Sequence, residues 1–295
     1  MMNNVADTYH RTYSFVWKQM QYIYPGYLTN NRITGLCEWK LKQIESEHIQ
    51  VWTFRMKNLQ FDWNPNSVAE MYFLFAFPAC MDIKIDQEGS ITGVNTDFDL
   101  CSVWNKTYKN ELYERIAEKE QADALWEAIN GENRMQLALG LLKVNPIVSA
   151  LCNMIKLNHK LKYNHEPAGE FGERFTGEIE KPDYFAEGIA LPLKTTWLKR
   201  ELENEKEEEW THLGGLVSDR YREDEVRKML RLITGEQNPA VDVEVSFTEV
   251  YRMDQREDDY RLISYGLFQT STRIQSLWEK AEELELTIEK SEGGD

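Results

Sequence analysis

Few side chains in this chain stand at the spacings that chemistry requires. Of the five histidines, the closest two, His159 and His165, are six residues apart in a polar stretch. Two ligands on one helix face need a spacing of three or four, so no metal ligand set is read from the sequence. The four cysteines, Cys37, Cys80, Cys101 and Cys152, include no CxxC pair and read as buried, reduced thiols. Cys37 shares strand parity with Trp39. Cys101 opens a helical pattern whose dipole would lower its pKa, but Asp97 and Asp99 oppose that. There is no GxGxxG after a strand, no GxxxxGK[ST] and no GxSxG, so neither a nucleotide cradle nor a hydrolase serine elbow is signalled and no cofactor is expected. The 50 acidic residues guarantee close carboxylate pairs. A glycosidase, however, needs two of them facing across a cleft, a separation that sequence does not fix. No catalytic residue is assigned.

Binding is a better match to the residue types. Trp52, Trp63 and Trp210 are candidate anchors for a ligand or partner if they are exposed, since large aromatic side chains dominate interface energetics. The acidic runs 201–209 and 254–259 offer a docking surface for a basic protein, or else are solvated hairpin ends. Neither has the alternating ligand and glycine pattern of a calcium loop. The net charge of −16 repels phosphate backbones and anionic lipid surfaces, so nucleic acid is not an expected partner. No 18-residue uncharged apolar run exists for a membrane span, and the most apolar stretch, 135–157, reads as buried helix. The first residues, MMNNVADTYHRTYSF, lack the basic start and apolar stretch of a secretory signal. A bacterial cytoplasmic setting is expected, although the doubled methionine also fits a chain from which a signal has been trimmed.

The elements that would position these residues are written mostly in period two. Between residues 9 and 61, Tyr9, Tyr13, Phe15 and Trp17 share one parity, and so do Ile33, Cys37, Trp39 and Leu41. That pattern makes strands with one buried and one wet face. A third strand changes phase at Val51–Trp52, which requires bulges or cover on both faces. Ile83–Ile85 and Ile91–Val94 flank the turn 86–90 as a hairpin. Asp97 caps a helix carrying Leu100, Trp104, Tyr108, Leu112 and Ile116. A second helical region follows Glu132, and Pro146 must kink it or start a new helix. A polar crossover spans 159–182. Strands return with Leu191, Leu193, Thr195 and Trp197, then with 210–217. Ser218 or Asp219 caps a helix that ends at Gly235. Val241–Met253 and 260–270 form a hairpin, with the tail either strand or helix. Turns are read at 25–31 and 45–47. The chain is thus α+β, with long antiparallel curved sheet packed against or around a helical layer. It divides into an aromatic-rich half (1–160) and a second β-rich half with one helix (161–295), or forms one continuous domain.

This order of elements resembles the LolA/LppX-like half-barrel family, in which a curved antiparallel sheet wraps a helical plug or lid around an apolar cavity. The alternating strands of 9–61 and the valine-rich strand Val241–Met253 carry the resemblance, which covers about half of the chain and includes no diagnostic motif. It implies a carrier of an apolar small molecule or lipid. The chain differs from that family in its start and in the helical segment 135–157. Three functions follow from these observations: a non-catalytic protein-interaction module, such a carrier, or a carboxylate-dependent hydrolase.

Overall fold

The structure, a computed structural model, describes residues 9–23, 26–46, 48–62, 80–95, 134–163, 173–182, 190–202, 207–217, 222–254, 261–274 and 277–289, with Arg220 and isolated positions between 119 and 127. The expected helix at 97–116 and Trp63 lie outside these residues. Eleven strands and three longer helices are described. In chain order they are β1 (His10–Ile23), β2 (Tyr27–Ser46), β3 (Ile49–Asp62), β4 (Cys80–Asp86), β5 (Ile91–Asn95), α1 (Arg134–Val144), α2 (Pro146–Tyr163), β6 (Glu173–Pro182), β7 (Ala190–Glu201), β8 (Glu207–Leu216), α3 (Glu223–Thr234), β9 (Val243–Asp254), β10 (Leu262–Ile274) and β11 (Trp278–Ile288).

All eleven strands form one curved antiparallel sheet in the order β5-β4-β3-β2-β1-β11-β10-β9-β8-β7-β6. Every paired neighbour in the sheet is also a neighbour in sequence except one, β11 with β1. The sheet is not a closed barrel, since β5 and β6 are its two edges. Strands of 1–160 and of 161–295 belong to the same sheet. The period-two pattern decides which face is buried: Tyr13, Phe15 and Trp17 on β1 face the same core as Ile33, Cys37, Trp39 and Leu41 on β2. Each such side chain taken out of water contributes roughly 1.5–3 kcal/mol. In β3, Val51 and Trp52 are both 1% exposed although successive strand residues point to opposite faces. The register between β2 and β3 also shifts at three places. The phase change at Val51–Trp52 therefore involves both cover on two faces and irregular pairing.

Pro146 starts a new helix rather than kinking one. α1 and α2 are bent by 72° at the residue between them. Asn145, fully buried, caps α2 by accepting from the amides of Ile147 (3.0 Å) and Val148 (3.2 Å) through Oδ1. Proline fits the position after a cap because its missing amide is not needed there. α2 then buries Ile147, Val148, Leu151, Met154, Ile155 and Leu157 against the inner side of the sheet. A second, smaller core packs Val226 and Leu230 of α3 on Leu191, Val243, Ile274 and Trp278. Between the two cores the inner face turns polar. Asn31 Nδ2 donates to Gln19 Oε1 (3.2 Å), and Gln19 Nε2 donates to Glu282 Oε1 (3.0 Å). No single helix among the described residues is long and apolar enough to cross a membrane.

Several expectations change. β2 begins at Tyr27, so the turn read at 25–31 is confined to its first residues, around Gly26. The tail is strand, because Trp278–Ile288 finds ladder partners on both sides; that gain outweighs the helical spacing of Ile274, Leu277, Trp278 and Ala281. α3 begins at Glu223 behind Arg222, which makes no side-chain cap bond. Ser218 and Asp219 are outside the described residues. The run 201–209 is not simply a solvated hairpin end. Glu208 and Glu209, on β8, are each 9% exposed, with Lys199 and Arg261 beside Glu208 and Arg200 and Arg252 beside Glu209.

Candidate functional site

The sheet's inner face is only partly filled by the helices. A cleft of about 350 Å³ lies between α2 and strands β6 to β11 together with β1. One row of laterally paired residues crosses six of these strands: Trp197 (β7), His212 (β8), Glu249 (β9), Phe268 (β10), Leu284 (β11) and Trp17 (β1). All six line the cleft. The next row adds Thr195, Phe247, Thr270 and Glu282. Gly214 stands between Thr195 and Phe247 in that row. A Cβ there would come within 2.9 Å of the Phe247 ring, so the absent side chain lets this aromatic wall close up. Opposite the strands, the polar side of α2 supplies Ser149, Asn153, Lys156 and Lys160, and Lys143 comes from the end of α1.

At the meeting of helix and sheet, the Glu249 carboxylate accepts three hydrogen bonds. Tyr251 OH donates to Oε2 at 2.8 Å, His212 Nδ1 lies 3.0 Å from Oε2, and Asn153 Nδ2 reaches both oxygens at 3.2 and 3.3 Å. Burial, reinforced by the Glu249 charge, holds the Tyr251 hydroxyl well above its ordinary pKa, so it remains a donor. The His212 ring lies flat on Trp197, with centroids 4.2 Å apart and planes 6° apart, and meets Phe247 edge-on at 5.0 Å and 90°. It is 6% exposed. The ring is therefore fixed on two sides by aromatic contact and on a third by Glu249.

The charges of the cleft are unevenly satisfied. Of its three carboxylates, Glu178 pairs with Arg220, Glu249 has the three donors above, and Glu282 takes Gln19 and Lys280 (3.1 Å). Lys143 and Lys156 form no ion pair among the described residues. In a chain of net charge −16 this is a local cationic wall facing an aromatic one.

Trp52 and Trp210, expected as exposed anchors, are 1% and 2% exposed. Both belong to the main core, and each indole nitrogen donates to a glutamine or glutamate two residues before it: Trp52 to Gln50 and Trp210 to Glu208, both at 3.0 Å. Inner-face parity places them there, so neither ring is offered at the surface. Trp63 lies outside the described residues. Sequence reasoning missed His212 and Glu249. The available signal was parity: His212 shares Trp210's, and Glu249 interrupts the series Val243, Val245, Phe247, Tyr251, Met253.

Other chemistry finds little footing. Burial, with the charge of Asp86 next, pushes the Cys152 thiol up to about 12, and burial raises Cys37 further still, which suits inert thiols. The displaced carboxylates are all displaced downward, and none lines this cleft. Lys84 hydrogen-bonds Glu45, and Lys18 hydrogen-bonds Glu283. At Glu38 and Glu208, burial pushes upward but is outweighed by Lys57 and His10 in the first case, and by the Trp210 indole, Arg261 and Lys199 in the second. Among the described residues no group of three or more His, Cys, Asp or Glu side chains is placed to hold a metal ion. No known protein family and no curated protein matches the chain.

Proposed function

We propose that this protein binds an amphipathic small molecule, its apolar body against Trp17, Trp197, Phe247 and Phe268 and its anionic group toward Lys143, Lys156 and Lys160. The observation that carries this reading is the cleft of about 350 Å³ with an aromatic strand wall facing a lysine-bearing helix wall. Its volume falls at the lower end of the roughly 300–1,000 Å³ typical of small-molecule sites, and a few polar groups among apolar walls are the usual make-up of such sites. The sheet packed around α1 and α2, with a cavity left beside them, also agrees with the carrier role that the half-barrel resemblance implies. A protein-interaction role is less well supported, because Trp52 and Trp210 are core residues. A hydrolase reading would need two facing carboxylates free to act, whereas each acid in the cleft already has internal partners.

Naphthalene-2-sulfonate, an aromatic anion small enough for the cleft, is a suitable probe in isothermal titration calorimetry. Saturable one-to-one binding is expected, weakened about tenfold or more in a Lys143→Ala/Lys156→Ala/Lys160→Ala variant whose circular dichroism is unchanged, a loss of about 1.4 kcal/mol. Absence of saturable binding, or equal affinity in the variant, overturns the proposal.

A further inference from the structure

We infer that His212 Nε2 is the cleft's acceptor for a ligand hydroxyl, so that the ligand is an amphipathic anion bearing a hydroxyl group on its apolar body. This rests on the small-molecule reading above and narrows it. The Glu249 carboxylate already accepts from Tyr251 OH and Asn153 Nδ2, and as an acceptor-only group it assigns the His212 proton to Nδ1. A neutral imidazole protonated at Nδ1 carries its lone pair at Nε2. Among the described residues Nε2 has no hydrogen-bond partner, and it is not one of the fully enclosed unpartnered atoms, so this nitrogen of a buried residue opens onto the cleft that the ring lines. An acceptor that opens onto the cleft gives a ligand hydroxyl a partner there, whereas an apolar ligand would seal that nitrogen off from water unmatched. The ring cannot turn to find a partner elsewhere. Trp197 covers one face, Phe247 stands edge-on, and Glu249 holds Nδ1. The cross-strand pairing Trp197–His212–Glu249 sets this orientation in the backbone register itself. A residue serving only to fill space beside Trp197 would not need the carboxylate that fixes its tautomer. The geometry thus pre-organises one acceptor inside an otherwise aromatic wall, as polar specificity points in small-molecule sites do.

The test compares naphthalene-2-sulfonate with its 6-hydroxy and 7-hydroxy derivatives by isothermal titration calorimetry. At least one hydroxy isomer is expected to bind the unaltered protein about fivefold to tenfold more tightly than the parent, the gain of one neutral hydrogen bond. His212→Phe, which keeps a ring on Trp197, should abolish that preference, so that within the variant neither hydroxy isomer binds more tightly than the parent sulfonate. Equal affinity for all three probes in the unaltered protein overturns this inference and leaves the small-molecule reading standing. A hydroxyl preference that survives His212→Phe also overturns it. Failure of every probe to bind overturns both. If His212→Phe does not fold, the comparison in the unaltered protein decides alone.

Discussion

Gly89, at the tip of the β4–β5 hairpin, ties that hairpin to α2 through the absence of a side chain. Its φ is +76°, a region that costs an L-residue roughly 1–2 kcal/mol. A Cβ there would also stand 2.4 Å from the Cys152 carbonyl oxygen, and a helix backbone cannot give way as a flexible side chain would. Around it, Asp86 Oδ1 accepts from the amides of Glu88 (3.1 Å) and Ser90 (2.7 Å), so the turn has little freedom to shift. Gly89→Ala should therefore destabilise the protein by about 2–3 kcal/mol, read as a lower urea midpoint at unchanged slope. Gly215→Ala, where nothing lies within 4 Å of the added carbon, is the comparison and should stay within about 0.5 kcal/mol of the parent. Equal midpoints for the two variants would show that the hairpin does not dock on the helix. At this scale the turn was legible in Asp86–Gly89–Ser90, but its docking partner was not, because Cys152 is more than sixty residues away in the chain.

At the scale of elements, α2 is the piece that serves both core and cleft. One side is buried among strands from both ends of the sheet, and the other carries the lysines. Asn158 anchors the far end of the helix to the start of β10, accepting from the Arg261 amide and donating to its carbonyl, each at 2.8 Å. Asn145 anchors the near end as a fully buried cap. Asn145→Ala should cost about 1–2 kcal/mol in urea unfolding, because two amides lose their acceptor where water does not replace it. Asn145→Asp should recover most of that, since a carboxylate can accept from both; an alanine variant as stable as the parent would mean the amides are satisfied in some other way. The helix break itself was legible, for Pro146 admits only a kink or a start. The choice between them was decided by the side chain before it. The strands were legible wherever one face is buried, as in β1, β2, β7 and β9. The cleft was not, because it is assembled from one to three residues on each of seven strands that lie far apart in the chain. What marks such a site in sequence is a polar residue on apolar parity: His212, Glu249 and Glu282 each interrupt the inner face of a strand.

For the whole molecule, the decisive pairing is β11 with β1. Everywhere else the sheet follows chain order, so each strand needs only its sequence neighbour. At this one place the start and end of the described chain must meet, across eleven paired positions from Tyr13–Ile288 to Ile23–Trp278. β11 also completes the ladder with β10. It is therefore the strand that joins the β5–β1 and β10–β6 portions of the sheet. The main core draws on both portions: Tyr13, Phe15 and Trp17 come from one side of β11, and Tyr251, Ile263 and Phe268 from the other. Tyr13 OH even donates to the Ile263 carbonyl at 2.9 Å across this junction. Removing residues 277–295 exposes two sheet edges and strips Leu284 and Leu286 from the core. The two portions cannot simply close on each other, because β1 and β10 are held two strand spacings apart, about 9.5 Å, by the same helix packing that remains. A chain ending at residue 276 should lose cooperative unfolding altogether, with near-ultraviolet circular dichroism and protease resistance lost together. A synthetic peptide of residues 277–289 added in trans should restore part of both, since strand addition at a matched gap supplies ladder bonds and side-chain pockets at once. Should the shortened chain unfold in one transition at the parent's midpoint, the two portions would be separate folding units, and the cleft, which needs Leu284 and Glu282 beside Trp17, would have to form without them.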